Sequence, residues 1–127
     1  MGKFTDFARI AEIEYSDIVI SCQDLGIKLR IYLTDKSFID FFYTTKLKAT
    51  RFAIHWERKH IDNTIYRIDN TPDKKWSKVV TFPTHFHKKT YDKVTVPPFK
   101  ITQDEKLAVI LRRFLQFARS IIKINGK

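Results

Sequence analysis

Two segments of this chain alternate apolar and polar residues with a period of two, and that alternation limits what the chain can fold into. In 27–34, Ile27, Leu29, Ile31 and Leu33 fall on one side, with Lys28, Arg30, Tyr32 and Thr34 on the other. In 51–58, Phe52, Ile54 and Trp56 alternate with Arg51, Ala53, His55 and Glu57. Successive side chains of a strand point to opposite faces, so each segment reads as a strand with one buried face and one wetter face. Residues 15–22, 38–44 and 64–70 are also β-rich, and short polar turns separate the segments: Gln23-Asp24-Leu25-Gly26, Thr34-Asp35-Lys36-Ser37 and the stretch around Asp62-Asn63. Turns this tight join antiparallel strands, because parallel neighbours need long crossovers. The pattern therefore predicts an antiparallel meander of about five strands.

Helical spacing flanks the meander. Phe4, Phe7, Ala8 and Ala11 predict a short amphipathic helix over 3–13. Near the other end, Thr102 with Glu105 three residues on fits a capping box. Leu107, Ile110, Leu111, Phe114, Ala118, Ile121 and Ile122 then form one apolar stripe, with Arg112, Gln116, Arg119 and Lys123 opposite. Such a basic row is ordinarily a solvated face, although an acidic partner or an RNA backbone could use it. The expected fold class is α+β, with an N-terminal and a C-terminal helix packed on one sheet. A length of 127 residues fits a single domain, 1–127. With 43% hydrophobic residues the chain is too apolar for disorder and has ample material for one core.

Bulk charge narrows the function. Twenty-four Lys and Arg against fourteen Asp and Glu leave a net charge of +10. A field of that sign speeds encounter with polyanions and favours nucleic-acid binding. No apolar run reaches the roughly 18 residues of a membrane span. Asp6 precedes any apolar run, which argues against a signal peptide, and Cys22 has no second cysteine to pair with. A cytoplasmic, reducing setting is expected. Gly-rich phosphate loops, a nucleophile elbow and paired zinc-ligand cysteines are absent, and no cofactor is expected.

The chemistry-bearing residues are His55, Arg67, Asp69, His85 and His87, with Asn70 nearby. If 59–63 forms a five-residue connection, His55 lies opposite Arg67 and Ala53 opposite Asp69. Arg51, His55, Arg67 and Asp69 then share one exposed sheet face. If Asp62-Asn63 forms a two-residue turn, the parity flips and His55 meets Asn70. Both registers are open at this level. Residues 71–100 lose periodicity and read as a long functional loop holding His85, His87, Lys88 and Lys89. Metal-free cleavage of RNA through its own 2′-hydroxyl needs a base, an acid and a phosphate-binding cation, which histidines and an arginine supply. The competing reading is a decorated loop beside a cross-strand Arg67–Asp69 pair. His85-x-His87 is by itself a weak metal signal, so no metal site is assigned. Arg51, Lys74, Lys75, Lys78, Lys88 and Lys89, with Trp76 among them, suit single-stranded nucleic acid, where phosphates meet cations and bases stack on rings. Phe82, beside Pro83 and after Val79-Val80, is assigned to the core.

Three blocks resemble the TumE family of toxins from toxin–antitoxin systems. They are the strand–turn–strand from Leu29 to Phe38, the stretch Arg51-Phe52-Ala53-Ile54-His55-Trp56, and Tyr66-Arg67-Ile68-Asp69-Asn70-Thr71-Pro72 followed by Thr81-Phe82-Pro83-Thr84-His85-Phe86-His87. The third is similar to the family's Arg-x-Asp-Asn-x-Pro and Phe-Pro-x-His-x-His. Thr71, Thr84 and the run Lys74-Lys75-Trp76-Ser77-Lys78 depart from that pattern. The resemblance implies a toxin encoded beside a helix-turn-helix antitoxin, without implying a particular chemistry. Three functions follow: a toxin that cleaves or blocks RNA, a non-enzymatic nucleic-acid-binding module, and a protein-interaction module that meets an acidic antitoxin. Oligomeric state is not encoded in any of these features.

Overall fold

A computed structural model describes residues 2–45, 50–70, 85–90, 94–95, 99 and 106–125. The chain opens with helix α1 (Thr5–Arg9), which runs directly into a π-helical turn, Ile10–Glu14. Strands β1 (Val19–Asp24), β2 (Leu29–Leu33), β3 (Phe38–Thr44) and β4 (Arg51–Arg58) follow. A helical turn α2 (Lys59–Asp62), strands β5 (Thr64–Asp69), β6 (His85–Lys89) and β7 (Val94–Thr95), and helix α3 (Leu107–Asn125) complete the order. The strands form one sheet in sequence order, β1 to β7, with every neighbour antiparallel. This is the predicted α+β meander. It carries six strands of five residues or more and a two-residue seventh, because β6 and β7 form inside the stretch that lacked periodicity.

The period-two pattern sets the layers. Along β4 the even-numbered residues Phe52, Ile54, Trp56 and Arg58 are buried and the odd-numbered ones half-buried. On β2 the order is reversed, with Leu29, Ile31 and Leu33 buried. Ile27, predicted inward, is instead 71% exposed, since it sits before β2 beside the Gly26 turn (φ +89°). Residues 15–18 likewise precede the first strand rather than belong to it. One sheet face packs on Phe4 and Ala11 of the N-terminal segment and on Ile110, Leu111, Phe114, Leu115 and Ala118 of α3.

Aromatic rings tie α3 to the far strands. Phe117 meets Tyr66 of β5 at 5.2 Å, Phe86 of β6 at 5.7 Å and Trp56 of β4 at 6.3 Å, each edge-on. Edge-to-face contacts of this kind add to the burial of the rings themselves. Phe86 is fully buried in this cluster, so its neighbour His87 is turned to the opposite face.

The basic row on α3 is not a bare solvated face. Arg112 makes a bidentate pair with Glu14 (2.8 Å for both bonds), and Asp17 holds Arg119 (2.8 Å) and Lys123 (3.3 Å). The Tyr15 hydroxyl also donates to the Arg112 carbonyl (2.8 Å). The capping residues Thr102 and Glu105, and the core assignment of Phe82, lie outside the described residues.

Candidate functional site

The face of the sheet turned away from the helices carries the candidate residues, and the β4–β5 connection decides which of them share it. Residues 59–62 form the helical turn α2, and Asn63 closes it in the left-handed region (φ 62°), which asparagine tolerates better than most residues. Asp62 then accepts from the Thr64 amide (3.2 Å) and closes the turn. A five-residue connection makes His55 pair with Arg67 and Ala53 with Asp69. Of the two open registers, this is the one that gathers the polar residues.

Pairing across the sheet then lines up one rung through five strands. Arg30 pairs with Asp40, Asp40 with His55, His55 with Arg67, and Arg67 with His87. The next rung runs from Phe42 through Ala53 and Asp69 to His85. Directly opposed residues on antiparallel strands have Cβ atoms roughly 5 Å apart on a common face. His55, Arg67 and His87 are therefore consecutive neighbours, and Asp69 sits one step along β5 from Arg67.

Local contacts fix these groups. The Arg67 Nε donates to Asp69 Oδ2 at 3.1 Å. His55 Nε2 lies 3.1 Å from Glu57 Oε1. Asp40 accepts two bonds from Arg30 (2.8 and 3.0 Å) and one from Lys28 (2.9 Å), while Arg30 also stacks over Phe38 at 4.1 Å. Burial pushes the Asp40 carboxyl up, but the bonds from Arg30 and Lys28 outweigh it and hold its pKa below the ordinary range. Burial pushes His55 down from the ordinary imidazole value, and nearby Arg67 adds to this against the opposing bond from Glu57. This environment favours the neutral form of His55.

A shallow cleft of about 270 Å³ opens on this face, lined by Lys28, Asp40, Phe42, Ala53, His55 and Arg67. The face was expected to be exposed throughout. It is instead covered over β5 and β6: Ile65, Asp69 and His87 are buried there, Asp69 at 5% and His87 at 7% exposure. His55 and Arg67 border the open cleft, and Asp69 and His87 lie behind them.

The profile of one protein family, described as toxin TumE, matches residues 4–122. The chain belongs to the TumE toxin family. Searches among curated proteins and among solved structures find no match. Membership implies a cognate antitoxin as partner. The family-like residues His55, Arg67, Asp69 and His87 fall on the two rungs just described, and the backbone of His85 pairs with Asp69.

Of the expected cationic set, Arg51 opens β4 opposite Thr44, and Lys88 and Lys89 are exposed on β6. Lys74, Lys75, Trp76 and Lys78 lie outside the described residues. Lys28, Arg30, Asp40 and Phe42 went unmarked as site residues. The alternation of β2 had already set Lys28 and Arg30 on the polar side, and pairing β2 with β3 about the Thr34–Ser37 turn would have added Asp40. Among the described residues no group of three His, Cys, Asp or Glu is arranged to hold a metal ion, and no helix is long and apolar enough to cross a membrane.

Proposed function

We propose that this toxin acts on RNA as a metal-independent endoribonuclease whose centre is the rung His55–Arg67–His87. The observation that supports the reading is the strand register, in which Arg67 stands between His55 and His87 on one sheet face. Arg67 binds the scissile phosphate, where its planar fork matches two phosphoryl oxygens. His55 takes the proton from the 2′-hydroxyl, and the freed oxygen attacks phosphorus. The bond to the 5′-oxygen breaks, and His87, on the other side of Arg67, protonates the leaving group. The products are a 2′,3′-cyclic phosphate and a 5′-hydroxyl. Asp69 acts through Arg67 by holding its Nε, and His85 is the register partner of Asp69 on β6. Arg51, Lys88 and Lys89 supply further positive charge, and Lys74, Lys75, Lys78 and Trp76 are assigned to RNA binding by residue type alone. The cognate antitoxin is a helix-turn-helix protein, and the toxin works in the cytoplasm.

The test is cleavage of a single-stranded RNA by purified toxin in EDTA. Wild-type protein should generate cyclic-phosphate ends, and its rate should hold down to below pH 6.5, the ordinary imidazole value from which His55 is lowered. His55→Ala and His87→Ala should each slow cleavage by about 10²–10⁴-fold, and Arg67→Lys by about 10²-fold. Saturable, salt-sensitive RNA binding without turnover would replace catalysis with simple blocking. Growth arrest that survives loss of both histidines would remove them from the mechanism.

A further inference from the structure

Among the described residues, the large apolar side chains left exposed are aliphatic with one exception, Phe42, which is 38% exposed and lies in the charged cleft. That face of β3 also carries Phe38 and Asp40, but Arg30 lies over the Phe38 ring at 4.1 Å, whereas the Phe42 ring borders the cleft and is not part of the core. Its cross-strand neighbour is Ala53, whose methyl group leaves the floor of the cleft open beside the ring. Beyond Ala53, on the following strand, lies Asp69, which holds Arg67. Lys28 borders the cleft at its other end. Asp40 does not make the cleft anionic, because Lys28 and Arg30 both bind it.

We infer that Phe42 is a stacking platform for an unpaired nucleobase, and that the cleft takes one nucleotide of single-stranded RNA with its phosphates on Arg67 and Lys28. The inference rests on the RNA reading above and narrows its substrate class. Phe42 and Arg67 are two strands and one rung apart, roughly 12 Å at ordinary sheet spacing. A nucleotide spans that gap from base to phosphate. Stacking on one ring tolerates any base, because every base has a π-face, whereas a base held in a duplex cannot reach the ring. The platform therefore selects strandedness rather than sequence.

The experiment measures binding of a fluorescein-labelled 2′-O-methyl decamer, which cannot be cleaved through its own 2′-oxygen, as a single strand and as a duplex. The wild-type toxin should prefer the single strand. Phe42→Leu keeps an apolar side chain but removes the π-face, and should weaken single-strand binding about tenfold, as one base stack is worth ~1–3 kcal/mol. Phe42→Tyr should stay within about twofold. Ala53→Leu, which fills the floor without touching a charge, should weaken binding as much as Phe42→Leu. Wild-type affinity in both Phe42→Leu and Ala53→Leu, with RNA still bound, would overturn the platform and leave the RNA reading standing. Equal affinity for strand and duplex would do the same. A wild-type protein that binds neither would sink both.

Discussion

At the residue scale, Arg58 shows how a charge can sit among core residues. It follows Trp56 on the inner face of β4 and is 2% exposed. Its guanidinium lies 4.6 Å from the Trp56 ring and pairs with Asp35 in the β2–β3 turn and Asp62 in α2. The Trp56 indole N–H donates to Ser37 (2.8 Å), itself bonded to Asp35. Burial pushes Asp35 up, but bonds from Ser37 and Arg58 outweigh it and keep the carboxyl low. Arg58→Met preserves the bulk and strands both carboxylates, so it should destabilise the fold by about 3 kcal/mol, read as a lower urea midpoint at unchanged slope. The sequence marked His55, Arg67, Asp69 and His87 by residue type, by one of two possible strand registers and by the family-like blocks, because few side chains titrate near neutrality or grip phosphate. Arg58 was invisible to that reasoning. An arginine at an inward position looks like the end of a strand until its two partners, 23 and four residues away, are seen to converge.

At the element scale, β6 is the part that periodicity missed. Its sequence His85-Phe86-His87-Lys88-Lys89 has one apolar residue, too few to reveal a period. What makes it a strand is the tertiary pocket that α3 offers to Phe86, which no local pattern encodes. Phe117→Ala should therefore loosen β6 more than β2 or β3. The expected outcome is a loss of about 3 kcal/mol overall, with amide exchange rising first in β6. Glu14→Gln, which removes an exposed partner of Arg112, should leave the fold almost unchanged, as single surface pairs contribute little. The reverse held for β4, whose alternation made it legible, and for β5, whose β-rich run follows a polar turn. Only the length of that turn was open, since 59–63 reads equally as a loop or as the end of two longer strands.

At the scale of the whole molecule, the titrating groups tilt stability in one direction. Carboxylates Asp35, Asp40, Glu57 and Asp62 all sit below their ordinary values of 3.8 or 4.5. Each contributes stability that is present above its unfolded value and lost as pH falls through the folded one. His55 is lowered from 6.5, so the unfolded chain takes up that proton first and stability starts to decline below pH 6.5. Urea midpoints should be flat above pH 7, fall slightly toward pH 5.5 and fall steeply below pH 4.5. His55→Gln should erase the first step and keep the second. The net charge of +10 adds self-repulsion as acid neutralises carboxylates, in the same direction. A final consequence belongs to the connection Lys59–Asn63. Its odd length works like a reading frame for the strands after it: one residue more or fewer would turn Arg67 and Asp69 toward Phe114 and Phe117 and present Tyr66 and Ile68 to the cleft. Relatives that keep this chemistry can lengthen or shorten that connection only two residues at a time.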